Sequence, residues 1–183
     1  MAKAKKDEQD DDGNLLSMLM SQASDLDLSD PNLTESEQQQ DPRRLIVDGF
    51  EISKLFAVIE FAFLHAKDED GILAGMDMMS REEAVKALKG IFLFVVTNTN
   101  GDKQEFLVEM RRAGTFYLGK GPPKTKPDVT ISVADKDMVN LSTGKMNPQM
   151  AFMKGKIKVK GNLMLGLKCQ STLQKEIAKL SRL

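Results

Sequence analysis

The stretch from Asp128 to Leu167 leaves almost no residue without a structural role, and it limits the fold more than any other part of the chain. Val129-Thr130-Ile131-Ser132-Val133 alternates apolar and polar residues with period two, which reads as a half-buried strand. Asp135 and Asp137 follow, where acids favour the unpaired amides of a helix start, and Thr143-Gly144 closes that helix. Asn147-Pro148 is a second start, a capping side chain before proline at the first helical position, and Gly155 ends the turn and a half that carries Met150, Phe152 and Met153. Lys156-Ile157-Lys158-Val159-Lys160 is a strand with one oily and one lysine face. Gly161-Asn162 turns into a last helix.

Three blocks of this stretch are specific in order and spacing: residues 128–135 (DVTISVAD), 143–149 (TGKMNPQ) and 155–162 (GKIKVKGN). They resemble the sterol carrier protein type 2 domain, the family of nonspecific lipid-transfer proteins, and the similarity extends over about residues 50–180. The resemblance implies an α/β (α+β) fold: a mixed, mainly antiparallel five-stranded sheet, covered on one face by about five helices, enclosing a hydrophobic lipid tunnel. Composition and periodicity alone give only an α/β domain with an open functional question.

The rest of the chain agrees. Residues 1–42 hold eleven acids against three lysines and no aromatic residue, the composition of a disordered tail. Leu15-Leu16-Ser17-Met18-Leu19-Met20 is its one apolar run, expected to be a transient helix. From Arg111 onward the balance reverses to 15 basic and 4 acidic residues, so an acidic tail precedes a basic body. Ile52, Leu55, Phe56, Ile59 and Phe63 recur at helical spacing, and Val58, Phe61, Ala62 and Leu64 widen the stripe until the helix needs cover on more than one side. Residues 68–79 are an insertion relative to the family. Ser80 and Glu83 form a capping box. Ile91 to Val96 is a continuous apolar run, a strand buried on both faces. Asn100-Gly101 marks a hairpin into a return strand with Phe106, Val108 and Met110 on one face, and Thr115 to Leu118 is a third strand. Gly119 to Pro123 lacks the strand-to-helix context of a phosphate-binding loop. The final helix runs from Leu163 to about Leu180. Gly166 inside it points to a close backbone approach, and Met164, where the family usually has a small residue, predicts a narrower cavity.

These features select among function classes. The single cysteine, Cys169, excludes an internal disulfide and has no general base in evidence. The single histidine, His65, cannot build a histidine-rich metal site and reads as a helix-end residue. No apolar run reaches the ~18 residues of a membrane span, and no secretory leader is expected at the N-terminus. Lysines without interleaved aromatics argue against nucleic-acid binding. No cofactor is expected. The resemblance therefore implies a non-enzymatic lipid carrier for sterols, fatty acids, fatty acyl-CoA or phospholipids. Its lining candidates are Phe94, Phe106, Val108, Met110, Ile131, Val133, Met146, Met150, Phe152, Leu163 and Leu167. A protein-interaction or substrate-presenting module is the alternative, and an acyl-thioester enzyme a more distant one. Residues 43–180 form the expected lipid-binding domain. Ser181-Arg182-Leu183 resembles the peroxisomal address Ser-Lys-Leu, which adds an import receptor to the partners, beside transient contact with anionic membranes.

Overall fold

A computed structural model describes residues 15–23 and 41–181. In chain order these form α1 (Leu15–Ser21), a 3-10 turn (Pro42–Leu45), α2 (Glu51–His65), α3 (Arg81–Leu88), β1 (Gly90–Thr97), β2 (Lys103–Met110), β3 (Thr115–Leu118), β4 (Val129–Ala134), α4 (Asp135–Ser142), α5 (Pro148–Met153), β5 (Ile157–Gly161) and α6 (Leu163–Ser181). The strands lie in the order β3-β2-β1-β4-β5. Only β1 and β4 run parallel; the other neighbours are antiparallel, as in the mixed sheet that the sequence implies.

Strand β1 is the centre of the sheet, and its unbroken apolar run serves both faces. Phe92, Phe94 and Val96 join the main core beneath the helices, while Ile91 and Leu93 meet Leu107 in a smaller cluster on the opposite face. Asn98 shapes the hairpin that follows: its Oδ1 accepts from the backbone N–H of Asn100 at 3.0 Å and of Asp102 at 2.9 Å. Between β2 and β3 the Glu109 carboxylate accepts from the amides of Arg111, Arg112 and Ala113. Burial pushes its pKa up, but these donors outweigh burial and hold it below the usual carboxylate range.

The oily helix α2 is covered as its stripe requires. Phe56 meets Phe94, Phe106 and Phe116 on the sheet, with ring centroids 5.0–5.9 Å apart. The 3-10 turn, α4 and α1 flank its other sides. Its first turn is capped from far away: Asp135 accepts from the Glu51 and Ile52 amides, both at 2.8 Å. Local reading gives Asp135 to its own helix; the fold uses it at the start of α2 instead. The capping box holds, with Ser80 Oγ accepting from the Glu83 amide at 3.2 Å. Asn147 likewise caps α5, accepting from Gln149 N–H at 2.8 Å and Met150 N–H at 3.2 Å.

The structure departs from the sequence reading at the N-terminal tail. Leu15–Ser21 is a packed helix against α2 and α6, with Leu19 and, just past its end, Ala23 fully buried and Leu16 nearly so. The local three- and four-residue spacing of these side chains outweighs the polar average of the segment around them. Helix α1 accounts for the count of six helices where about five are implied. The rest of the tail, residues 1–14 and 24–40, lies outside the described residues. The segment 68–79 is also tied down, since Leu73 and Met78 are buried in the main core.

Candidate functional site

Helix α6 lies across the helix-covered face of the sheet, and Gly166 lets it do so closely. A Cβ there would sit 3.3 Å from Val129 Cγ1, inside ordinary van der Waals contact, with Val159 and Ile131 just beyond. The close approach expected from the sequence is that of β4 and β5. Met164 points away, 74% exposed, so it does not narrow the interior as its position in the family pattern implies.

An apolar cavity opens on each side of α6. The first, about 480 Å³ including its mouth, lies between β1, β4 and β5 below and α4, α5 and the first turns of α6 above. The second, about 540 Å³ including its mouth, lies over β1, β2 and β3 beneath α2 and α3. Phe94, at the middle of β1, lines both.

Of the lining candidates, Phe94, Ile131, Val133, Phe152, Leu163 and Leu167 meet in the first cavity. Val108 and Met110 line the second, with Phe94 again. Phe106 is not on either wall; it is buried against Phe56 as ordinary core. Met146 packs half-buried against the core, and Met150 is exposed on α5. The sequence reading missed Met138, Leu141, Ile157 and Val159 in the first cavity and Phe56, Ile59, Phe63 and Leu173 in the second. Ile157 and Val159 carry the same period-two signal on β5 that identifies Ile131 and Val133 on β4. The α2 contributions need the packing of helix on sheet, which sequence spacing does not give.

Polar groups are few. Gln170 is the one polar side chain on the first wall, and its Nε2 is buried with no acceptor among the described residues. In the second cavity the Cys169 thiol is pushed up to about 12 by burial, so it stays protonated at neutral pH and is a poor nucleophile. Glu176, beside it, accepts from Met79 N–H at 2.6 Å and pairs with Lys179 at 2.6 Å. Behind this cavity Glu60, 1% exposed, receives both Arg81 and Arg44, the latter at 3.4 Å. The two guanidiniums also donate to the carbonyls of Gly114 at 2.6 Å and Phe116 at 2.8 Å, which ties α2, α3 and β3 together. Arg81 also covers the face of Phe63, which lines the cavity. His65 sits at the end of α2 as expected, 2.6 Å from Asp68 and tilted against the Phe61 ring, with centroids 4.6 Å apart. Among the described residues no three potential ligands cluster to hold a metal ion.

The model of the SCP-2 sterol transfer family matches residues 72–174. The oleate-induced peroxisomal protein POX18 of Candida maltosa is 34% identical over 129 residues, 70% of this chain and 91% of that protein. Sterol carrier protein 2 of Rattus norvegicus is 39% identical over 135 residues, 73% of this chain but 22% of that protein. Hydroxysteroid dehydrogenase-like protein 2 of Xenopus tropicalis is 38% identical over 105 residues, 57% of this chain and 24% of that protein, so the chain spans about a quarter of such longer relatives. Among solved structures, apo sterol carrier protein 2 of Yarrowia lipolytica superposes with a TM-score of 0.60 at 29% identity, covering 72% of this chain and 96% of that one.

Proposed function

The chain belongs to the SCP-2 sterol transfer family, and on that premise we propose that it binds lipids in the cavities beside α6 and carries them without catalysing a reaction. The observation that carries this reading is the pair of cavities on either side of α6 that share Phe94 and have almost wholly apolar walls with few polar groups. A sterol, a fatty acid or the acyl chain of a fatty acyl-CoA or phospholipid fits walls of this kind. Gln170 would donate its free amide hydrogen to an oxygen of the ligand. The protonated Cys169 and the fully engaged Glu60 and Glu176 favour a carrier over an acyl-thioester enzyme.

Two relatives are peroxisomal by name, the POX18 protein and peroxisomal multifunctional enzyme A of Dictyostelium discoideum. Together with Ser181-Arg182-Leu183, they support delivery to the peroxisome by an import receptor; Arg182 and Leu183 lie outside the described residues. Deleting Leu183 should leave the protein diffuse in the cytosol, and unchanged organelle import would overturn this address. The fusion of similar domains into longer proteins favours a second reading, presentation of a lipid to a partner enzyme. On either reading the lipid must come from a membrane, and the basic second half suits transient contact with an anionic one.

The binding test is a titration with a fluorescent fatty acid, beside mass spectrometry of lipid that co-purifies with the full chain. Leu167→Trp, which fills the first cavity, should weaken the fatty acid by about tenfold. Protein that purifies without lipid and gives no titration would overturn the carrier reading.

A further inference from the structure

We infer that the protein has a further ligand site on the sheet face opposite the lipid cavities, and that this site takes a nucleotide. The phosphates meet a cluster of cations and the base lies on Tyr117. The site shares no wall residue with either lipid cavity, so the inference is independent of the carrier reading.

That face of the sheet bears the small cluster of Ile91, Leu93 and Leu107, with Tyr117 packed against it. The loop from Gly119 to Lys126, between β3 and β4, folds back over the cluster. Gly121 approaches so closely that a Cβ there would sit 2.3 Å from Leu107 Cδ2. The Gly119 amide donates to the Glu105 carbonyl at 2.7 Å, and the Asp128 amide to the Ile91 carbonyl at 2.8 Å. Both ends of the loop are thus tied to the sheet. Between loop and strands lies a pocket of about 760 Å³ including its open mouth, with Ile91, Tyr117 and Pro122 as its apolar walls.

The rest of the pocket is strongly charged. Arg111, Arg112, Lys124 and Lys126 line it against one carboxylate, Glu109. That carboxylate is already engaged by the amides of Arg111, Arg112 and Ala113. Asp128, beside the pocket, accepts from Arg111 Nη2 at 2.5 and 2.6 Å and from the Ile91 amide at 2.9 Å, which holds that guanidinium against the strand. The side chains of Arg112, Lys124 and Lys126 have no hydrogen bond or ion pair among the described residues. Alternation along β5 adds Lys158 and Lys160 to this face, because Ile157 and Val159 line the first cavity on the other. Such a field draws an anion toward the pocket.

The backbone singles out one of these cations. Pro122 to Thr125 form a turn, closed by the Thr125 amide on the Pro122 carbonyl at 3.2 Å, with Pro123 second and Lys124 third. Lys124 has a φ of +67°, and this third position of a type II turn favours glycine or asparagine. Among the described residues only Lys89 shares a positive φ without being glycine, and it closes α3 as a C-cap. A lysine standing where glycine is favoured points to a use for its ammonium group. The loop is not of the strand-to-helix kind, so phosphate oxygens meet side chains here rather than a row of amides. Cations beside one half-buried aromatic ring fit a nucleotide, whose base stacks on the ring while its phosphates pair with lysine and arginine. A single ring offers one stacking position, which suits a mononucleotide and not a nucleic-acid strand.

Tyr117 is the one tyrosine in a chain without tryptophan, so intrinsic emission reports from the pocket itself. Titrating the full chain with ADP should change that emission and give a matching affinity by calorimetry, with pyrophosphate weaker by about tenfold. Binding should weaken as salt is raised. Lys124→Gly removes the charge and suits the left-handed backbone, so ADP should weaken about tenfold while the melting temperature holds or rises. Arg112→Gln with Lys126→Gln should weaken ADP about tenfold or more and flatten the salt dependence. Tyr117→Leu keeps an apolar contact with Leu107 and, by calorimetry, should remove most of the preference for ADP over pyrophosphate. Fatty-acid titration should be unchanged in all three variants, because the lipid cavities lie across the sheet. No emission change and no heat with ADP would overturn the inference, as would ADP binding that survives both cation variants. Pyrophosphate that binds wild type as tightly as ADP would overturn the assignment of a nucleotide. Displacement of ADP by phosphatidylcholine–phosphatidylserine vesicles would overturn it too, by giving the cations to a lipid headgroup.

Discussion

The two cavities share one sheet face, one helix and one phenylalanine, but their walls are built in opposite ways. The cavity under α2 and α3 is braced: Glu60 gathers two arginines, Glu176 holds the Met79 amide, and α1 packs on both α2 and α6. The cavity under α5 is only lightly covered. Helix α5 has six residues, Ala151 is its one buried side chain, and Phe152 is 44% exposed. Stability is thus concentrated on one side of α6, and access on the other. A carrier needs such a division, because the wall that opens for a ligand has to be one whose opening leaves the core intact.

The braced side should respond most strongly to mutation. Glu60→Gln leaves Arg44 and Arg81 partly buried without their shared counter-charge, and should destabilise by about 3 kcal/mol, roughly 6–12 °C in melting temperature. A change near zero would mean that the guanidiniums reach solvent freely and that the bracing is not electrostatic. Leu19→Ala tests the outermost brace. Full burial predicts a cost of about 2 kcal/mol, limited by the ease with which α1 can detach. An unchanged melting curve would restore the whole of residues 1–42 to the tail that their composition describes.

The same contrast decides what could be read from the sequence. Strand β1 was legible because an unbroken apolar run can only be buried on both sides, and α5 because Asn147-Pro148 is local chemistry. Gly166 signalled a close approach, although not its partner. The bracing of Glu60 was not legible. It joins residues far apart in the chain, and an isolated glutamate on an oily helix carries no sign of the arginines that will meet it. Asp135 failed for the same reason, since its amide partners come from α2. Phe106 and Phe94 are register partners across β2 and β1, yet only packing places one in the core and the other between the cavities.

On the open side, Phe152→Ala should change ligand choice more than stability. A half-exposed ring forfeits less than a buried one, so we expect a loss of about 1 kcal/mol against the 3–5 typical of a core phenylalanine. The fatty-acid titration should show altered preference among chain lengths. A large loss of stability with unaltered selectivity would move Phe152 from the cavity wall to the core.

Cys169 gives the smallest effect and reports on the braced cavity from within. Burial raises its thiol from an ordinary 9.0 to about 12, so above about pH 9 the unfolded chain releases a proton that the folded chain keeps. Its stabilising contribution is therefore complete below that pH and declines as pH rises toward the folded value, by roughly 0.8 kcal/mol at about pH 9.5. Lysines and Tyr117 also titrate in alkali, so the measurement is the difference between wild type and Cys169→Ala. The fall in unfolding free energy between about pH 7 and about pH 9.5 should be smaller in the variant by that amount, whatever constant cost the lost sulfur adds. Equal falls would mean that water reaches Cys169 in the folded protein. The cavity under α2 and α3 would then open as readily as the one under α5, and the contrast between the two sides of α6 would not hold.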